Sequence, residues 1–388
     1  MAQELMARIC RNISALGGDM KKKVIVILMV IALMLTALAG CEKNEPKAQE
    51  QQGMNIEEQQ STNAESATEG EDAGTEEDAN SDTEVNDVAV NVVALKGPTA
   101  MGMIKLMNDA AEGTLQGYSF QLAAAPDEVA PLIIQGKVDI AAVPANLASV
   151  IYNKTEGGVQ VLNINTLGVI YIIEKGEMVN SADDLRGKTI FASGQGATPE
   201  YALRFILSEN GIDADNDVNI EWKSEHAECL SALIESEDGV AMLPQPFVTT
   251  AMTKAEGLRV ALDLTEEWNK TQEDSENPSQ FLTGVTIVRK EFAEEHPGAV
   301  KEFMEQYKSS VEFVNGNVAE AAEMIGAFDI VPAPIAEKAL PACNIVFITD
   351  SDMEVALSGY LSVLAEQNPQ SIGGALPGAD FYYQDSQN

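Results

Sequence analysis

The sequence predicts an α/β protein of two similar lobes, each a mixed, mostly parallel sheet flanked by helices, joined by a two-strand hinge. Three observations carry this. From about Val88 onward, short β-branched runs alternate with helical patterns, as parallel-sheet units do. The alternation then occurs twice in one order: strand, polar loop, helix, strand, helix, strand, Pro loop, helix. Between the two passes, "VQVLNINTLGVIYIIEK" is long for a single strand and contains Gly168. It reads as a strand, a kink and a second strand crossing into a new unit.

The elements follow in order. "VAVNVVAL" suits a buried strand and ends in "KGPTAMGM", a Gly/Pro loop opening a helix. "YSFQLAAA" is a strand and "PDEVAPLIIQGK" a helix with Asp127 and Glu128 in its first turn. "VDIAAVPANLASVIYNK" gives a strand, a tight loop at Pro144 and a helix. The second pass starts at "SADDLRGKTIFASGQGATPEYALRFILSENG", with a strand from Thr189 to Ala192, a Gly loop and a helix. "VNIEWKS" (strand), "HAECLSALIESED" (helix), "GVAMLPQPFVTTAMTK" (strand, Pro loop, helix) and "LRVALDL" (strand) complete it. "QFLTGVTIVRK" is a return strand, and the remainder is predicted to be helical. The expected division is 88–167 plus 283–388 for lobe 1 and 168–282 for lobe 2.

Composition narrows the partners. The 388 residues carry a net charge of −37, which removes the electrostatic route to nucleic acid or anionic lipid heads. Apolar residues make up 45% but aromatics only 5%, so aliphatic and Ala packing must dominate the core. Four cysteines, Cys10, Cys41, Cys229 and Cys343, show no C-x-x-C pair. A disulfide framework or structural zinc site is not expected, and lobe placement argues against a Cys229–Cys343 pair.

Residues 1–40 read as a signal peptide, with Met20 expected as the true start: Lys21–Lys23 precede "VIVILMVIALMLTALAG". Leu38-Ala39-Gly40-Cys41 resembles the lipobox of bacterial lipoproteins. That resemblance implies cleavage before Cys41 and a thiol carrying diacylglycerol with palmitate-type chains, a firmer hold than one acyl chain. A single transmembrane anchor is the plainer alternative. Residues 42–87 hold fifteen acids against two lysines and almost no large apolar residue. With Cys41 they read as a lipidated, disordered acidic tether.

The layout and loops of the globular part resemble the substrate-binding lipoproteins of ABC importers, in the group that takes nitrate, sulfonates, taurine and thiamine-pyrimidine precursors. "DLRGKTI" before the second Gly loop, "EEHPGAVKEFMEQY" after the return strand and "IGGALPGADFYY" near the C-terminus carry the likeness, which spans about Val88 to Tyr383. The resemblance implies a type II periplasmic-binding-protein fold with ligand between the lobes. It also implies a membrane permease as partner, a monomer, and a place on the extracytoplasmic face of a bacterial cell membrane.

Open α/β sheets bind ligands beyond the carboxyl ends of their strands, so four loops are candidates. Lys96–Met103 offers Thr99, Ala100 and Met101, although an ordinary strand-to-helix turn would look the same. In Val143–Asn146, Asn146 either caps its helix or faces the cleft. Ser193–Thr198 offers Gln195, Gly196, Ala197 and Thr198, its glycines freeing amides for an anion or a carbonyl oxygen. Leu243–Pro246 offers Gln245. Thr166 and Gly168 are candidates for the floor, Lys96 for a point charge, and Trp268 for either a wall or a packing residue. No arginine lies in these loops. That favours a neutral or weakly anionic organic ligand, though helix N-termini alone still permit a strong anion.

Enzymes form the main competing class. His226 and Cys229 stand at i, i+3 on a predicted helix, but two ligands do not close a metal site. No G-x-S-x-G or H-E-x-x-H motif occurs. Within the resemblance, enzymes of menaquinone and thiamine-precursor synthesis share the fold, and the cysteine cluster of the latter has no counterpart here. No catalytic residue, metal or cofactor is expected. A lipoprotein that only senses a ligand is the third reading.

Overall fold

The described residues of a computed structural model are 88–273 and 279–384, so the expected signal peptide, Cys41 and the tether lie outside them. β1 (Val90–Leu95) is buried on both faces, as its β-branched run requires. The chain turns at Gly97, φ 133°, into a short helix, α1 (Pro98–Met101), and then the amphipathic α2 (Ile104–Ala111). β2 (Tyr118–Ala123), α3 (Pro126–Ile134), β3 (Ile140–Pro144) and α4 (Ala145–Lys154) finish the first pass. β4 (Val159–Leu167) and β5 (Ile170–Lys175) then carry the chain across, with Gly168 and Val169 between them.

The second pass is β6 (Thr189–Ser193), α5 (Thr198–Glu209), β7 (Asn219–Lys223), α6 (His226–Glu235), β8 (Val240–Pro244), α7 (Phe247–Lys254) and β9 (Leu258–Asp263). A helix with no counterpart in the sequence reading follows, α8 (Leu264–Gln272), capped by Asp263 accepting the Thr265 N–H at 2.8 Å. β10 (Leu282–Arg289) returns. The tail runs α9 (Lys290–Glu295), α10 (Pro297–Gly316), α11 (Val318–Ala327), α12 (Ala333–Ala339), β11 (Ile345–Ile348) and α13 (Asp350–Gln367). The tail is therefore not wholly helical. β11 pairs antiparallel with β4 and closes one edge of its sheet.

Two mixed sheets result, each flanked by helices. The first has the order β11-β4-β10-β3-β1-β2 and the second β7-β6-β8-β5-β9. β1 is parallel to β2 and β3, and β6 to β7 and β8, whereas the crossing strands run antiparallel to their neighbours. The carboxyl ends of the parallel strands thus face one another across the crossing.

α13 ties the two halves together behind it. Its Tyr360 hydroxyl donates to Thr198 Oγ1 (3.4 Å) and its Gln367 amide to the Tyr201 carbonyl (3.1 Å), both on α5 of the second sheet. The segment just after it receives the Ser149 hydroxyl of α4 at Ile372 O (2.7 Å) on the first. Trp268 is fully buried and stacks on Phe281, so it packs the core and does not wall a cleft. Cys229 and Cys343 are both free, buried thiols; burial pushes Cys343 up to about 12. No helix among the described residues is long and apolar enough to cross a membrane.

Candidate ligand-binding cleft

Two adjoining chambers lie between the sheets and share Pro144, Val169, Pro244 and Thr283 as a common wall. The smaller holds about 300 Å3 and the larger about 500 Å3, the range of small-molecule sites. The smaller is walled by Pro126, Leu147, Ile170 and Pro199. Two of its three polar side chains bond to each other across the lobes: Thr198 Oγ1 donates to Asn146 Oδ1 at 3.3 Å, and Asn146 Nδ2 donates to the Ser371 carbonyl at 3.2 Å.

The larger chamber gathers Lys96, Thr99 and Thr166 from one lobe and His226, Gln245 and Phe247 from the other. Its hydroxyl protons are spent inside the protein. Thr99 donates to Leu95 O (2.9 Å), Thr166 to Asn165 Oδ1 (2.9 Å), Thr250 to Pro246 O (3.2 Å) and Thr283 to Leu167 O (2.7 Å). Lys96 is held by the Asp329 carboxylate (3.1 Å) and carbonyl (2.7 Å). His226 Nδ1 meets Ser193 Oγ at 2.6 Å, and burial holds its pKa below the ordinary imidazole value. The cleft therefore contains a neutral imidazole at neutral pH.

The family model described as NMT1/THI5 like matches residues 117–321, more than half of the chain. The chain belongs to the NMT1/THI5-like family. Solved structures agree on the fold. An ABC transporter protein from Parabacteroides distasonis is 19% identical with a TM-score of 0.64, covering 77% of this chain and 100% of its own. The periplasmic aliphatic sulphonate binding protein SsuA from Escherichia coli is 13% identical, TM-score 0.60, covering 76% and 96%. A ligand binding component of an ABC-type import system from Staphylococcus aureus, with zinc bound, is 14% identical, TM-score 0.57, covering 77% and 97%. No curated protein matches the chain. The two-lobed periplasmic-binding-protein fold expected from sequence is the fold of this family member.

The candidate residues divide. Thr99, Asn146, Thr166, Ala197, Thr198 and Gln245 line the two chambers. Ala100 and Met101 do not; both are fully buried in the core beneath the first loop, where their N–H groups bond the Gly97 carbonyl at 3.0 Å. Gln195 and Gly196 are exposed and outside both linings. The Gly196 amide is already taken by Glu200 Oε2 at 2.7 Å, so this one amide is not open to a ligand. Lys96 reaches the larger chamber but is paired there. Sequence reasoning weighed His226 only as a metal ligand with Cys229. Its partner is Ser193, thirty-three residues away, which no local spacing reveals. Among the described residues no group of three or more His, Cys, Asp or Glu is placed to hold a metal.

Proposed function

We propose that this protein is an extracytoplasmic solute-binding protein, lipid-anchored through Cys41, that captures a small organic or oxyanion ligand between its lobes and delivers it to an ABC permease. The observation that carries the reading is the cleft itself. It lies at the crossing of two sheets and is lined from both lobes, and the serine of its Ser193–His226 pair is buried outside both linings. Hinge closure on ligand is the motion this arrangement supports. The names of the similar structures, an ABC transporter protein and a sulphonate binding protein, point the same way. An enzyme of the menaquinone or thiamine-precursor type is the competing reading, and a ligand-sensing lipoprotein the third.

Two experiments test this. Labelled palmitate should enter the full-length chain in bacterial cells and be lost in Cys41→Ser, together with retention in the membrane fraction. A melting screen of the purified chain against sulfonates, nitrate, pyrimidines, purines and aromatic acids should return a binder by mass action. Turnover of a menaquinone precursor with no stabilising ligand would overturn the transport reading. Ligand-dependent binding to a permease separates delivery from sensing.

A further inference from the structure

The two chambers sit over different kinds of core. The helices that open on the smaller one, α3, α4 and α5, bury Val129, Ala148 and Leu203 in a single apolar cluster that runs on through Met353, Leu357 and Leu361 of α13. Residues of both lobes belong to it, Ile164 and Ile172 on either side of the crossing among them. The helices that open on the larger chamber share no such core. α1 buries Met101 with Phe303 of α10 in a cluster made only of first-lobe residues, and α6 and α7 bury Leu230 and Val248 in another made only of second-lobe residues. Parting the lobes beside the smaller chamber would therefore expose apolar surface to water, at a cost that grows with the area. Parting them beside the larger chamber leaves both clusters intact.

The hydrogen bonds divide in the same way. Across the smaller chamber Thr198 Oγ1 donates to Asn146 Oδ1. Behind it the end of α13 is fixed to α5, where Gln367 Nε2 donates to the Tyr201 carbonyl (3.1 Å) and Asn368 Nδ2 to the Tyr201 hydroxyl (3.2 Å). Within one turn the chain is fixed to α4 as well. The Ser371 carbonyl accepts Asn146 Nδ2 (3.2 Å), and the Ile372 carbonyl accepts Ser149 Oγ (2.7 Å) and Asn153 Nδ2 (2.9 Å). Pro369–Ile372 between these anchors is a 3-10 turn. At a rise of about 2 Å per residue, the steps from 368 to 371 span about 6 Å, and pulled straight they reach about 11 Å. α4 and α5 can thus separate by about 5 Å before an anchor breaks.

Around the larger chamber the side chains bond within their own lobe. Lys96 holds Asp329, Thr99 the Leu95 carbonyl, Gln245 Thr249, Thr250 the Pro246 carbonyl and His226 Ser193. On this side the lobes meet where α12 lies beside α7, and at the crossing, where the Tyr171 hydroxyl donates to the Ala342 carbonyl at 2.9 Å.

We propose that the hinge is one-sided. α13 and the turn after it keep α4 and α5 together as the pivot, the smaller chamber stays formed, and the lobes open at the larger chamber, which is the way in. This goes beyond the capture reading and does not depend on it, because it concerns only how the lobes move.

The test places pairs of spin labels on the full-length chain carrying Cys10→Ser and Cys41→Ser; Cys229 and Cys343 are buried and stay in place. Asp127→Cys with Gln195→Cys spans the smaller chamber, and Lys254→Cys with Glu337→Cys the larger; all four positions are exposed. In the unliganded chain the first pair should vary by no more than about 5 Å, the slack of the turn, and the second should spread at least twice as far. Gln367→Ala and Asn368→Ala together release α5 from the turn, and should widen the first pair toward the second. Melting checks that this variant is folded; the two pairs in the parent decide the proposal even if it is not. Equal spreads at the two pairs, a wider spread across the smaller chamber, or a folded double variant with an unchanged first pair overturns the one-sided hinge.

Discussion

Gly168→Ala should damage the crossing between the lobes. A Cβ at this position would lie 2.2 Å from Thr265 Oγ1, 2.4 Å from Phe281 Cδ1 and 2.9 Å from Phe281 Cε1. Carbon atoms prefer about 3.5–4.0 Å, so both neighbours would have to retreat by more than an ångström. Phe281 cannot do so easily: it is fully buried, stacked on Trp268 at 5.3 Å and packed on Tyr360 at 6.3 Å. The backbone cannot yield freely either, because Gly168 N–H bonds the Phe281 carbonyl at 2.9 Å and its carbonyl accepts from Asn344 at 2.5 Å. Overpacking of this kind costs about 1–3 kcal/mol. At about 2–4 °C per kcal/mol for a body of this size, the melting midpoint should fall by about 2–12 °C. Thr265 Oγ1 is buried without a hydrogen-bond partner, so Thr265→Ala should be close to neutral alone. Combined with Gly168→Ala it should recover part of the loss, a coupling of about 1 kcal/mol, while the Phe281 contact keeps the rescue incomplete. Calorimetry of the four proteins in the cycle measures this. A midpoint for Gly168→Ala within about 1 °C of the parent, or strict additivity with Thr265→Ala, would refute the steric reasoning.

Three further outcomes follow from single contacts. Thr198→Val removes the bond to Asn146 between the lobes and strands the buried Tyr360 hydroxyl. It should cost about 1–3 kcal/mol in denaturant unfolding, and an unchanged midpoint counts against the contact. Arg259→Met leaves Glu174, fully buried and bonded also by the Met178 and Val179 N–H groups at 3.1 Å, without its cation. About 3–5 kcal/mol of destabilisation is expected, more than for any exposed ion pair on the same surface. His226 titrates below its ordinary value because burial disfavours the charged ring, so the unfolded chain takes up that proton first. Its contribution to stability is complete above the ordinary imidazole pKa of about 6.5 and declines as pH falls below it. The difference in melting midpoint between the parent and His226→Gln should shift accordingly between about pH 7 and 5; a pH-independent difference would contradict the burial.

The architecture was legible because its signals are local. β-branched runs, Gly and Pro loops and their repeated order placed nearly every strand and helix. What escaped was short or ambiguous. β11 is four residues of "IVFI" in a helix-rich tail, and becomes a strand because β4 offers an unpaired edge. α8 is polar in composition, and its start was marked by Asp263 two residues before Thr265, a cap that went unread. The site was legible to the level of loops, since strand ends must face the cleft. Which atoms are free was not. Thr99 carries the expected hydroxyl, but Leu95 O takes its proton. The Gly196 amide was expected to be open, but Glu200, four residues on, closes it. That closure was present in the sequence as a glutamate four residues after the amide it caps, at Ala124/Glu128, Gly196/Glu200 and Ser224/Glu228. The Ser193–His226 pair was not, because it joins the end of one strand to the start of a helix beyond the next.

Charge acts on ligand choice at two ranges, and the shorter range decides. The net charge of −37 is large, and fifteen of the acids lie in 42–87. At physiological salt, fields between exposed charges decay over about 8 Å, so the overall charge slows an approaching anion without determining what the cleft holds. Inside the cleft, screening is weak and each donor counts. Six prolines withhold amides, three glutamates take amides of their own, and Asp329 holds Lys96. Each feature alone has an ordinary structural use, since proline starts helices and glutamate caps them. Gln245 Nε2, the unused N–H groups of Asn146 Nδ2 and Lys96 Nζ, and helix-start amides such as that of Phe247 are the donors left for a ligand, so short-range donors of both backbone and side-chain origin face the chambers.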